Sequence, residues 1–191
     1  MGEIDLAAHL AYHCAMQDNR FNFCPQCASR RIETVAGGRK WVCPECGFVL
    51  YNNVAAAVGV IFCNDKGEVL LEQRERQPRK GFLAVPGGFC EPDEDALATV
   101  RRECSEEIGV VPEHLRFVGA FPNTYPYKGV VYKTCDLFYR ATLPEGFAFR
   151  LAAGEVADLQ WHKADTLECV QQLPLAFESA RRALLALLEE R

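Results

Sequence analysis

A chain of 191 residues that is 49% hydrophobic and 25% charged has ordinary globular composition, with room for one well-buried core and a small accessory module. No run of eighteen apolar residues occurs, which excludes a membrane-spanning helix, and Met1 to Asp5 carries two acids where a secretory signal carries positive charge. The formal charge of −5 argues against a broad surface for gripping phosphate backbones, so the expected partner is a small molecule without nucleic acid or membrane, and the expected location is cytoplasmic.

In chain order, Ile4, Ala7, Ala8, Ala11 and Cys14 recur at helical intervals and predict a helix within residues 1–19. Residues 20–52 change to cysteine, proline, glycine and aromatics, with too little apolar mass to fold unaided, and read as a mini-domain. Residues 53–191 form the main domain. Val54 to Cys63 is an apolar strand, Asn64 to Gly67 a turn, and Glu68 to Gln73 an alternating strand. After a loop from Gln77 to Gly81, Phe82 to Val85 is a short strand ending in Pro86-Gly87-Gly88, and a helix is expected to begin near Asp93. Strands follow at Arg116 to Phe121 and Val130 to Thr142, then irregular or strand structure through Leu151. A closing helix spans Leu175 to Glu190, with Pro174 at its first turn. Strands and helices mix without a βαβ rhythm, which predicts an α+β fold or a mixed sheet flanked by helices.

Cys24-Pro25-Gln26-Cys27 and Cys43-Pro44-Glu45-Cys46 form two CxxC pairs separated by fifteen residues, with Gly47 placed for a tight knuckle turn. Each pair presents two thiolates from one turn, and together they complete the closed four-cysteine shell of structural Zn2+. A redox CxxC occurs singly at a helix start, so matched pairs point to scaffolding. Residues 20–52 hold five basic and two acidic residues, a balance too weak to make the ribbon a nucleic-acid reader. Cys14, Cys63, Cys90, Cys104, Cys135 and Cys169 sit singly among apolar neighbours and read as buried thiols.

The run from Gly88 to Val110 fits G-x5-E-x7-R-E-U-x-E-E-x-G-U, where U is apolar. Seven fixed identities would coincide by chance on the order of once in 10⁸ positions if each residue has a usage of about 7%. On a helix, Leu97, Val100, Cys104 and Ile108 form an apolar stripe, and Glu103, Glu106 and Glu107 crowd a neighbouring arc. Glu107 falls beside the apolar stripe, where an uncompensated carboxylate requires a cation or a raised pKa. Hard oxygen ligands suit Mg2+ or Mn2+, and a bare carbonyl at Gly87 can approach such an ion. A solvated acidic face with Arg102 pairing Glu106 is the plainer reading of the arc, and the flanking glycines argue against it.

This pattern resembles the Nudix box, complete at every fixed position. The resemblance implies a Nudix-type mixed β-sheet flanked by helices (an α/β/α sandwich), preceded here by the four-cysteine zinc ribbon. It implies metal-dependent hydrolysis of a diphosphate linkage in a nucleoside diphosphate derivative by attack of water on phosphorus. Glu103 and Glu107, with Glu106, would then hold the cations, Arg102 would orient the carboxylates, and Glu94, Gly87 and Gly88 would shape the loop. Glu155, six residues before Trp161, resembles a loop glutamate that completes the metal site in several members. Asp93 stands where glycine is common, and Cys104 where an aliphatic residue is usual.

The ribbon ahead of the box resembles the NADH pyrophosphatase branch. Tyr125-Pro126-Tyr127 reproduces the aromatic-proline-aromatic portion of that branch's motif without its Ser-Gln-Pro, making Tyr125 and Tyr127 candidates to stack on a base or nicotinamide. NADH, ADP-ribose and similar nucleotides all fit, and a homodimer is expected from resemblance alone. The rival readings are a non-catalytic nucleotide-sensing module and a decapping hydrolase.

Overall fold

The computed structural model describes residues 21–190, and the helix expected within residues 1–19 lies outside them. In chain order the elements are β1 (Glu33–Val35), β2 (Lys40–Val42), β3 (Val49–Tyr51), β4 (Ala55–Phe62), β5 (Glu68–Arg74), β6 (Leu83–Ala84), α1 (Ala96–Glu107), β7 (Glu113–Tyr127), β8 (Val130–Thr142), β9 (Val156–Lys163), α2 (Leu167–Gln172) and α3 (Glu178–Glu189). Contacts divide the chain into two compact units, one reaching to Asn53 and including Lys128–Val131, the other Val54–Tyr127 with Tyr132 onward.

In the larger unit, strand alternation assigns side chains to two cores. Val58, Val60 and Phe62 of β4 and Leu70 of β5 bury against Val100, Cys104 and Ile108 from α1 and its C-cap. Ile61, Val69 and Leu71 point the other way, against Ala180, Ala183, Leu184 and Leu187 of α3. The strands are therefore covered on both faces, which is why β4 reads as an unbroken apolar run. Each fully buried aliphatic side chain contributes roughly 1.5–3 kcal/mol, so the two helices are held chiefly by these stripes. This is the mixed α+β architecture that the sequence predicts.

β4 pairs in parallel with β8 from Ala55↔Thr134 to Phe62↔Ala141, and β7 lies on the far side of β8. The other edge of β4 is lined by the segment before α1, for Val60 and Val58 donate to the carbonyls of Pro86 and Gly88, and Cys90 donates to that of Ala56. A second sheet has the order β6-β5-β9, both pairings antiparallel, with a bulge at Gln73/Arg74.

Several elements differ from expectation, among them α2, which the sequence reading missed, and β7, which runs from Glu113 to Tyr127 where the reading places a strand only from Arg116 to Phe121. The box helix starts at Ala96, later than Asp93, because Asp95 caps it by accepting from Ala98 N–H. The last helix starts at Glu178 and not at Leu175, because Pro174 and Ala176 exchange backbone hydrogen bonds with Leu83 of β6. The sequence reading missed β9, whose half-exposed side chains carry little pattern of their own. Of the single cysteines read as buried thiols, Cys104 is fully buried, whereas Cys63 after β4, Cys90 in the loop before α1, Cys135 within β8 and Cys169 within α2 are only half-buried, and Cys14 lies outside the described residues.

Candidate active site

In the smaller unit, the two knuckles repeat one geometry. Cys24 and Cys43 N–H donate to the carbonyls of Ser29 and Phe48, while Ala28 and Gly47 N–H donate back to Cys24 and Cys43. Ala28 and Gly47 hold equivalent left-handed positions, at φ 59 and 75°. The knuckles bring Cys24, Cys27, Cys43 and Cys46 together with all four sulfurs within 4.8 Å of one another. The Cys24–Cys46 and Cys27–Cys43 separations are 3.7 Å. A tetrahedron with 2.3 Å zinc–sulfur bonds has edges of about 3.8 Å, so the thiolates fit Zn2+.

In the larger unit, the loop before α1 is locked to the helix by Arg102. Its five N–H groups make five hydrogen bonds: two to Glu94 at 2.8 and 2.9 Å, and one each to Glu103 at 2.7 Å, Glu106 at 3.1 Å and the Phe89 carbonyl at 3.0 Å. Glu94 also accepts from Glu91 N–H and the Thr99 hydroxyl. The Arg102 guanidinium holds its carboxyl down at about 2. Arg102 and Glu94 thus clamp the loop, while Glu103 and Glu107 are the buried acids, 8% and 3% exposed. Glu106 stands at the rim with its side chain 60% exposed.

Gly87 engages through its N–H, which donates to Glu107 Oε2 at 2.7 Å. Its φ of 145° and a Val58 carbonyl 2.2 Å from where a Cβ would stand leave room for glycine alone. A Cβ on Gly88 would meet the Glu103 carboxylate at 2.5 Å. Asp93 sits at φ 69°, which explains the preference for glycine there. Asp93→Gly should change stability by less than about 0.5 kcal/mol, whereas Asp93→Val should cost about 1–2 kcal/mol in urea unfolding.

The loop carrying Glu155 is tied to the end of α1, since Arg150 and Ala152 donate to the carbonyls of Ile108 and Glu107. Arg76 reaches Glu155 at 2.7 Å and Glu107 at 4.0 Å, so it bridges them. The sequence reading missed Arg76, and it missed Glu72 of β5, which is 2% exposed with Oε2 unpartnered. Strand phase is the signal for Glu72: it follows Leu70 by two residues onto a core-facing position.

Around this centre, six carboxylates (Glu72, Glu94, Glu103, Glu106, Glu107 and Glu155) meet three guanidinium groups (Arg74, Arg76 and Arg102). Among the described residues only the cysteines gather three or more ligand atoms within 4.8 Å of one another, so no three of these acids bring their oxygens that close together. Burial, opposed by the Gly87 N–H and reinforced by the Glu103 charge, pushes Glu107 up to about 8; burial and the Glu107 charge push Glu72 up to about 9. Oxygen ligands with an unmet negative charge fit a divalent cation such as Mg2+ or Mn2+.

A pH dependence follows. Both carboxyls bind a proton more tightly folded than unfolded, so their contribution is fully present below the ordinary 4.5 and is lost as pH rises toward about 8 and 9. Without divalent cations, Tm should fall by roughly 5–10 °C between pH 5 and 9, and added Mg2+ should flatten that slope in thermal melts.

Beside the acids lies a cleft of about 400 Å³ lined by Ala55, Arg76, Gln77, Phe89, Tyr125, Tyr127 and Tyr132. The Phe89 ring meets Tyr125 edge-on at 5.3 Å and Tyr132 at 6.2 Å. The structure thus brings Tyr125 and Tyr127 to one wall and adds Phe89 and Tyr132, which the sequence reading did not single out.

A mixed sheet between helices, with an acid-lined helix behind a glycine loop, defines the class. The family model of the NUDIX domain matches residues 54–188, and the chain belongs to the NUDIX family. It is 31% identical over 165 residues to the NAD-capped RNA hydrolase NudC of Deinococcus radiodurans, covering 85% of this chain and 55% of the relative. It is 32% identical over 119 residues to the mitochondrial NAD(P)H pyrophosphatase NUDT13 of Homo sapiens, covering 62% and 32%. The chain therefore spans about half or less of the length of these relatives. A NUDIX hydrolase from Nitrosomonas europaea shares the fold at a TM-score of 0.65 and 23% identity, over 88% of this chain and 91% of that one. No described helix is long and apolar enough to cross a membrane.

Proposed function

We propose that the chain hydrolyses the diphosphate linkage of an NAD-type nucleotide, with water attacking phosphorus. The observation that carries this reading is Arg76, which lines the aromatic cleft and also faces Glu107 and Glu155. A base or nicotinamide among Phe89, Tyr125, Tyr127 and Tyr132 would leave the diphosphate over the acids, with Arg76 turned toward its oxygens. Glu103 and Glu107, with Glu106 and Glu155 at the rim, would hold a divalent cation, which would supply charge neutralisation and a bound water of lowered pKa. Arg102 keeps Glu103 in place and the loop closed on the helix. Glu106 is open to solvent, where a proton from the attacking water can leave, and Glu155 is half-exposed and paired with Arg76. The ribbon, residues 20–52, scaffolds with Zn2+, and residues 53–191 carry the chemistry.

The test is a hydrolysis screen with Mg2+ or Mn2+ over NADH, ADP-ribose, nucleotide sugars and NAD-capped RNA, run in ¹⁸O water. Two phosphomonoester products, only one of each pair bearing a single label on phosphorus, support the reading. No turnover of any diphosphate would refute it in favour of nucleotide sensing. The name of the D. radiodurans relative favours capped RNA as a second reading, and a higher kcat/KM for capped RNA than for NADH, lost at high salt, would select it.

A further inference from the structure

In β5, Leu70 and Glu72 share the phase that faces α1, and Leu70 packs with Val100 and Cys104. Glu72 thus puts a carboxylate where the fold asks for an aliphatic side chain, and it is 2% exposed. Its cross-strand neighbours, Ala84 and Leu159, offer no side-chain donor, and Oε2 has no hydrogen-bond partner. Neither of the two cations whose fields reach it lies within ion-pair distance of it, and the buried Nη2 of Arg74 likewise has no hydrogen-bond partner. Arg74 gives its Nε–H to the Pro78 carbonyl and lies over the Phe177 ring, and Arg76 is turned to Glu155. A buried acid without a partner weakens the fold, so packing does not account for it. The other charges around it are Glu107 and Glu103.

We propose that Glu72 is a further ligand of the divalent cation held by Glu103 and Glu107, offered from the sheet and from outside the box, directly or through a retained water. The ion is then gripped from the helix and the strand together, and Glu72 is the floor of the site. This rests on the cation reading above. Removing a third anionic group weakens the ion by about tenfold or more, whether it is a direct ligand or a water-mediated one.

The experiment is Mn2+ titration of the full chain without substrate, followed by electron paramagnetic resonance, together with the Mn2+-induced rise in Tm. Glu72→Gln and Glu72→Leu are compared with wild type and Glu107→Gln. Leucine suits the aliphatic surroundings, so at least one Glu72 variant will fold. Both variants should bind Mn2+ at least tenfold more weakly, gain Tm without metal, and lose most of the Mn2+-induced rise. Wild-type Mn2+ affinity in either folded Glu72 variant, with binding lost in Glu107→Gln, overturns the role of Glu72 and leaves the site standing. Wild-type affinity in Glu107→Gln as well, or no Mn2+ binding by wild type, overturns both.

Discussion

Glu107→Gln should leave a folded protein whose metal-dependent diphosphate hydrolysis falls by about a thousandfold or more. Glutamine preserves the shape and still offers an oxygen to the Gly87 N–H, so the loop-to-helix contact at 2.7 Å survives. What disappears is a carboxyl whose ionised form is disfavoured by burial and by the Glu103 charge. Metal-free Tm should therefore rise while activity collapses, a combination that misfolding cannot produce. Glu106→Gln should cost far less, about tenfold, since its carboxylate is 60% exposed and already offset by Arg102. Turnover with Mg2+, read by phosphorus NMR beside thermal melts, checks both, and near-wild-type rates for Glu107→Gln would remove the acids from the chemistry.

What the sequence carried clearly was periodic or fixed in spacing. The cysteine pairs, the box and the apolar run of β4 each announce themselves within a dozen or two residues, and the structure seats them as those patterns require. β9 did not announce itself because it is defined by its partner. Seven of its residues pair with β5 across a gap of about eighty positions, and its own side chains are mostly half-exposed. The start of the last helix was misplaced for a related reason: Pro174 is a good first-turn residue by local rules, but Leu83 claims the backbone around it.

The site follows the same division. Glu103, Glu106 and Glu107 are neighbours on one helix, so spacing alone groups them. Arg76, Phe89 and Tyr132 come from three separate segments and meet only when β4, β8 and the pre-helix loop align. Glu72 was legible in principle, as an acid at a core phase of an alternating strand, but alternation with Glu68 disguised it as part of a polar face. A carboxylate in phase with Leu70 makes sense only once Glu107 is seen on the helix above it.

Stripping zinc should unfold the ribbon and leave the larger unit standing. The ribbon's strands are three residues each, and few of its side chains are buried besides Cys24, Trp41 and Cys43. Such a core cannot offset the chain entropy of about thirty residues, whereas a structural zinc site is worth on the order of 10–16 kcal/mol in small metal-folded peptides. The larger unit has two apolar clusters of its own. Trp41, 5% exposed and edge-on to Phe21 at 5.0 Å, reports the change: its fluorescence should shift to the red on chelation and return with Zn2+. Cys43→Ser should give the same spectrum without chelator, because Cys43 is fully buried and serine replaces a thiolate ligand with a poor one. Elemental analysis should find one zinc per chain, and a chelator-resistant Trp41 signal in a zinc-free protein would mean that the ribbon folds by other means.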